Sequence, residues 1–443
     1  MGRSLNSKEP TGYELSRSSF AATDLKGQDL RGAYLKGTYL RGVCLRAEDL
    51  SEANLSYADL IEADLSLANL TGANLGEACL NLASLTGANL SAANLSETSL
   101  VGAELTDTDL RGANLRNTNL IGANLGGANL IGANLRGADL SEANLHGAIL
   151  QRAVYSIGTR FSDGFDPIAA GALLITNNIS LPGANLSGVN LCEADLKRAD
   201  LRGANLKKAN LTGANLEGAN LSRATLDGAN LRGAELKGAI LRKTVYTKKT
   251  IFSEGVDLSF AGAYLIAPKV SLPEINLSGV DLRDANMSDA NLSGAKLENA
   301  DLRGVDLTNA NLRRANLQDV NLEGADLRGA DLTGACLNHA NLIDADLRGV
   351  DLTRSSLISA NLRGADLRKA DLTGSRLNQA NLNQADLRGT DLTRADLEGA
   401  NLNGANLNNA DLTNAGINLI EETITDVDLM EAVMELPTFK DRK

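Results

Sequence analysis

This 443-residue chain has no tryptophan, only 3% aromatic residues, two histidines and four cysteines. A core built on large aromatic side chains is therefore excluded. His146 and His339 stand far apart, so no histidine-centred catalytic or metal cluster is readable. Cys44, Cys79, Cys192 and Cys336 form none of the close pairs that metal or redox motifs use, and read as surface thiols. No apolar run approaches the eighteen residues of a membrane-spanning helix. The opening MGRSLNSKEPTGYELS has no apolar core of a secretory signal, and Asn6 stands where a myristoylation signal needs Ser or Thr. A cytoplasmic protein is the expectation. Neither a phosphate-binding GxxxxGK(S/T) loop nor a twelve-residue calcium loop occurs, so no cofactor and no metal are expected. Catalytic groups must converge in a concave pocket, and nothing here suggests one, so the chain reads as not an enzyme.

Leucine is what the chain has in abundance, and its spacing is regular. A central apolar residue recurs every five positions from Leu25 to Leu150 in 26 units, from Leu186 to Leu241 in 12, and from Leu277 to Leu412 in 28, with Met287 in one leucine position. A second period of twenty runs through the last block. Asp326, Asp346, Asp366 and Asp386 are each followed two places on by Arg328, Arg348, Arg368 and Arg388. Asp331, Asp351, Asp371, Asp391 and Asp411 form another column, each with a threonine two places on, and Asn321, Asn341, Asn361, Asn381 and Asn401 form a third.

Five is the wrong period for either regular element. On an α-helix it rotates successive leucines by about 140°, so no stripe forms. On a straight strand it sends alternate leucines to opposite faces. If the chain instead turns a corner after each five residues, the small residue two before each leucine shares its parity, and both point inward. Four such sides close a coil of twenty, and coils stacked about 4.8 Å apart turn the period of twenty into vertical ladders. The repeated A(D/N)LxG unit resembles the pentapeptide-repeat family over most of the chain. That resemblance implies an all-β fold, a right-handed quadrilateral β-helix. Long members with such breaks resemble those common in cyanobacteria.

The 66 units amount to about 16 coils, or a rod of about 80 Å that the breaks would bend. Residues 1–19 are off-pattern and expected to flank or cap the first coil. Repeat blocks follow at 20–155, 181–246 and 272–417, separated by breaks at 156–180 and 247–271. The breaks are copies of each other at an offset of 91: Tyr155 matches Tyr246, Phe161 matches Phe252, Gly171 matches Gly262 and Leu181 matches Leu272. Phe161, Phe165, Phe252 and Phe260 lie in them, either plugging the interrupted core or forming docking loops. In 418–443, Ile420, Ile424, Val427, Met430 and Met434 have helical spacing. A short C-terminal helix is expected to cap the last coil, or, as in gyrase-directed members that the family resemblance brings in, to pair two chains as a homodimer.

The net charge of −12 is unevenly spread. Residues 47–110 contain no Lys, Arg or His, and carry Glu48, Asp49, Glu52, Asp59, Glu62, Asp64, Glu77, Glu97, Glu104, Asp107 and Asp109. Residues 186–250 carry twelve Lys and Arg against six acids. That basic band lacks the aromatics that stack bases, and the overall sign repels phosphate, so direct nucleic-acid binding is not expected. The acidic band would attract a basic protein face. The expected function is a rod-like scaffold presenting flat charged faces to a protein partner the sequence does not name. The alternative is a DNA mimic acting on a type II topoisomerase, as some members of the family are.

Overall fold

The computed structural model describes residues 25, 29–254, 256, 261–416 and 432. Residues 71–75, Thr-Gly-Ala-Asn-Leu, show how one unit works. Ala73 and Leu75 are fully buried, and Asn74 between them faces out. Asn74 N–H donates to Ala53 O at 2.8 Å, and Leu75 N–H donates to Asn94 O at 2.7 Å, so this short extended segment is bonded to the coils on both sides. A turn follows, in which the N–H of Ala78 reaches back to Leu75 O at 3.0 Å. The second turn residue is left-handed in every described unit of the regular blocks, with φ of 67° at Gly72 and 61° at Glu77. Glycine at that position is the economical choice because it carries no Cβ to clash. The backbone polar groups are thus satisfied between coils, as burial of this core requires.

Parallel bridges join residue i to residue i+20 throughout the regular blocks. One starts every five residues, as at Asn54, Asp59, Asp64 and Asn69, so a turn of twenty residues carries four ladders. The architecture is a β-helix, and among the described residues there is no α-helix. Bridge-position side chains also cap their own turns. Asn94 Oδ1 accepts from Ser96 N–H at 3.2 Å while Asn94 Nδ2 donates to Asn74 Oδ1 at 2.9 Å, and the same asparagine ladder runs from Asn54 to Asn134. In the third block the Asp–Arg columns interlock. Arg328 is held by Asp326 at 2.6 Å and lies 3.6 Å from Asp346 on the next coil, and the pattern repeats at Arg348 and Arg368.

The core falls into three clusters, one per block, divided at the breaks. Each break keeps the coil going on one side and loses it on another. Ladder spacing lengthens to 21 at Asp139 and Arg160, and shortens to 19 where β1 (Val154–Tyr155) pairs with β2 (Leu173–Leu174). The second break repeats this, with β3 (Asn230–Leu231) against β5 (Ile251–Phe252), and β4 (Val245–Tyr246) against β6 (Tyr264–Leu265). Tyr155 meets Phe161 edge-on at 5.6 Å, and Tyr246 meets Phe252 at 5.5 Å. Phe161, Phe165 and Phe252 pack against the cores they interrupt, whereas Phe260 lies outside the described residues. Thr159 and Thr250 donate to Leu135 O and Leu226 O, so the duplication extends to individual hydrogen bonds.

The result differs from a single bent rod. Residues 187–193 touch Gly112, Gly132 and Arg152, which stand on three successive coils of the first block. A coaxial continuation would meet only the last coil, so the second block is seated against the flank of the first. The expected N-terminal cap and C-terminal helix lie outside the described residues.

Candidate functional site

The acids of the first block do not converge on one patch. Asp49 and Asp109 lie on one bridge ladder, Asp59 on a second, and Asp64 and Glu104 on a third, while the fourth is the asparagine ladder. Glu52, Glu62, Glu77, Glu97 and Asp107 take the left-handed turn position, spread over all four turn columns. Glu48 is at an inward position and is half-buried. The acids therefore form a ring around the coil.

Stacking also brings in cations that the linear gap of 47–110 conceals. Arg41 lies 3.6 Å from Glu62, Arg116 lies 3.4 Å from Glu97, and Arg111 chelates Asp109 at 2.6 Å. The other seven candidates, Glu48, Asp49, Glu52, Asp59, Asp64, Glu77 and Glu104, make no ion pair with a described cation. Asp49, Asp59, Asp64, Glu77 and Glu104 accept from neutral donors instead. Ser51 bonds Asp49 and Ser66 bonds Asp64, and both carboxyls are held below the usual carboxylate range by those bonds. Tyr57 Oη donates to Glu77 at 2.6 Å, which pushes the phenol pKa up. Asn124 Nδ2 donates to Glu104 at 2.9 Å.

Three residues in this ring escaped the sequence reading. Tyr57, Leu67 and Leu82 are 52%, 54% and 62% exposed, and each holds a turn position with φ near +60°. A bulky side chain there accepts left-handed strain and gains little burial. The signal was a large apolar residue where the repeat has glycine.

The two joints form the other concentration of unusual side chains. At the first, Asn190 N–H donates to Gly132 O at 3.0 Å and its amide donates to Gly112 O at 3.2 Å. Arg136 donates to Cys192 O at 3.1 Å, and Arg116 bridges to Glu193 at 3.0 Å. Burial lowers the pKa of Arg136 and raises that of the Cys192 thiol. At the second, Lys207 Nζ donates to Arg283 O at 2.6 Å and lies 3.5 Å from Asp281, while Thr225 donates to Asp281 O at 2.9 Å. Burial raises the Asp281 pKa, but the hydrogen bonds from Arg283 and the charge of Lys207 outweigh it, and the carboxyl stays low. Arg116, Asn190 and Cys192 correspond to Lys207, Asp281 and Arg283 at the same offset of 91, so each joint is a clamp built from the same positions.

Among the described residues, no group of three or more His, Cys, Asp or Glu is placed to hold a metal. The four cysteines are free thiols, with Cys44 exposed and the others half-buried. No described helix is long and apolar enough to cross a membrane.

The profile of pentapeptide repeats matches the chain in segments between residues 14 and 154, 177 and 242, and 269 and 414. Among solved structures, HetL, a pentapeptide repeat protein of the cyanobacterium Nostoc sp. strain PCC 7120 involved in heterocyst differentiation regulation, is 24% identical over 85% of this chain and 88% of its own, with a TM-score of 0.14. QnrB1, a plasmid-mediated fluoroquinolone resistance protein, is 20% identical over 52% of this chain and 91% of its own, with a TM-score of 0.21. Rfr23, from the cyanobacterium Cyanothece 51142, is 34% identical over 29% of this chain and 90% of its own, with a TM-score of 0.11. None of the curated proteins matches the chain.

Proposed function

Because the chain belongs to the pentapeptide-repeat family, we propose that it is a non-catalytic cytoplasmic scaffold that holds charged faces in fixed relation for protein partners. The observation that carries this reading is the pair of joints. A chain that needed only length would stack its coils coaxially, whereas this one spends buried polar side chains on seating each block against the flank of the last. We take each coil to be right-handed and four-sided, which gives flat faces, and the segment after residue 416 to cap the last coil with a helix or to pair two chains.

The acidic ring is the first partner surface on this reading. Exposed aromatic and aliphatic side chains set among charges are what a partner would anchor on, and rigid elements lower the entropy lost on binding. Glu48, Asp49, Glu52, Asp59, Glu62, Asp64, Glu77, Glu97, Glu104 and Asp109 would steer a basic face, and Tyr57, Leu67 and Leu82 would give it contact area.

The test is removal of one coil, residues 71–90, from the full chain. The ladders re-register after loss of twenty residues, so folding should persist by circular dichroism, while a partner spanning the ring should bind at least tenfold more weakly. A captured partner indifferent to that deletion would overturn the multi-coil surface. The topoisomerase alternative is separated by reversing Asp59, Glu62 and Asp64 to Lys. A DNA mimic inhibits supercoiling and loses that inhibition on reversal; the scaffold reading expects no inhibition from the parent protein.

A further inference from the structure

The flank-on seating of the second block leaves a cleft of about 340 Å³ beside the clamp of the first joint. Its lining includes Arg111 and Arg152 from the first block, Lys208 from the second, and no aspartate or glutamate. The chain as a whole carries a net charge of −12, and the cleft lies where the basic band of the second block meets the first. Arg111 is partly neutralised by Asp109 behind it. Arg152 gives one N–H to Ser187 O at 3.2 Å, and neither it nor Lys208 makes an ion pair with a described residue. Arg111 and Arg152 stand two coils apart, about 10 Å along the stack.

The second joint is an internal control. At the offset of 91, Gly132 becomes Arg223, Arg152 becomes Lys243, Lys208 becomes Asn299, and Asn190 and Asn210 become Asp281 and Asp301. The same positions meet there and the number of cations is unchanged, Arg223 being gained as Lys208 is lost, but two carboxylates are gained. In the first joint Gly132 lies at the seam, where a Cβ would be in ordinary contact, 3.4 Å from Gly188 O and 3.5 Å from Val189 Cα. The missing side chain leaves the space beside the seam open, where the second joint has Arg223. Joint formation alone therefore does not require a lining free of carboxylates.

We propose that the first-joint cleft binds a small polyphosphate-bearing ligand, held by Arg111 and Arg152 on one wall and Lys208 on the other. Guanidinium forks and a lysine point charge are the donors that suit phosphate oxygens, and the separation of the two arginines suits a ligand with more than one phosphate group. Such a ligand touches both blocks and ties them together, so occupancy also stiffens the joint.

Titration calorimetry on the full-length protein with inorganic pyrophosphate, at low and at physiological salt, tests this. The expected result is one saturable site per chain, weakened at least tenfold by Arg152→Gln and by Lys208→Gln, unaffected by Lys243→Gln at the second joint, and weaker as salt rises. Lys208 is exposed and takes no part in the clamp, so its variant keeps the test valid if Arg152→Gln disturbs the joint. ADP binding more tightly than pyrophosphate would mark a nucleotide as the source of the phosphates, and equal binding would mark an inorganic or sugar phosphate. Citrate binding more tightly than pyrophosphate, absence of a saturable site, or binding unchanged in both variants would overturn the proposal.

Discussion

At the scale of the residue, the division of labour within five positions explains both what is uniform and what varies. The two inward positions are held to alanine-sized and leucine-sized groups because the layers above and below leave no spare room. Leu115, fully buried in the middle of the first block, is expected to cost about 2 to 5 kcal/mol when replaced by alanine. Ala103→Leu, which adds volume to a closed layer, should cost about 1 to 3 kcal/mol. Urea unfolding followed by circular dichroism checks both, and a neutral result at either would mean that the interior is looser than described. The outward turn position behaves differently. Leu82→Gly replaces an exposed leucine with the residue the turn prefers, so the fold should be retained or slightly more stable, while affinity for a partner of the acidic ring should fall at least tenfold.

At the scale of the element, the coil is self-contained and the joint is not. Each coil bonds only to its neighbours, so the regular blocks were legible from the periods of five and twenty: Leu25 to Leu150 told which side chains enter the core, and the asparagine columns foretold their ladder. The joints were not legible, because Asn190 meets Gly112 and Lys207 meets Asp281 across more than seventy residues with no shared period. Only the duplication of the breaks at an offset of 91 marked the place. Charge was half legible for the same reason. The run without cations from 47 to 110 is real in the sequence, but Arg41, Arg111 and Arg116 reach its acids from adjoining positions and coils.

The second joint carries a pH dependence whose sign follows from Asp281. Its carboxyl is held below the ordinary 3.8 in the folded protein. A depressed carboxylate stabilises the fold above its unfolded pKa, and that contribution is lost as pH falls through the folded value. The second joint should therefore loosen only in acid, below about pH 3.8, and be indifferent to pH between 5 and 8. Asp281→Asn should weaken it by removing the 3.5 Å ion pair with Lys207, and should remove the acid transition. Hydrogen exchange at 281–286 and 225–227 reads this directly. Loosening that persists unchanged in the Asn variant would assign it to another group.

At the scale of the whole molecule, three blocks carry three kinds of outer surface: a mostly acidic ring, a basic band, and columns of Asp and Arg that neutralise each other. Exposed pairs of the last kind contribute about 0 to 1 kcal/mol each, so the third block's surface serves registration and solubility more than binding. The first two are the surfaces with field to spare, and the first joint holds them in fixed relation. A scaffold read this way has its specificity in the relative placement of blocks, which no single coil contains.

The most direct test is cross-linking of the tagged full-length protein in its native lysate, with mass spectrometry of the cross-linked residues. The expected result is one partner whose cross-links fall on outward positions of the first and second blocks together, and whose capture is lost when the first joint is broken by Arg136→Ala with Asn190→Ala in a protein that still shows its β-helix spectrum. Cross-links confined to a single break segment, or capture unchanged in that variant, would contradict a scaffold that works through the fixed relation of its blocks.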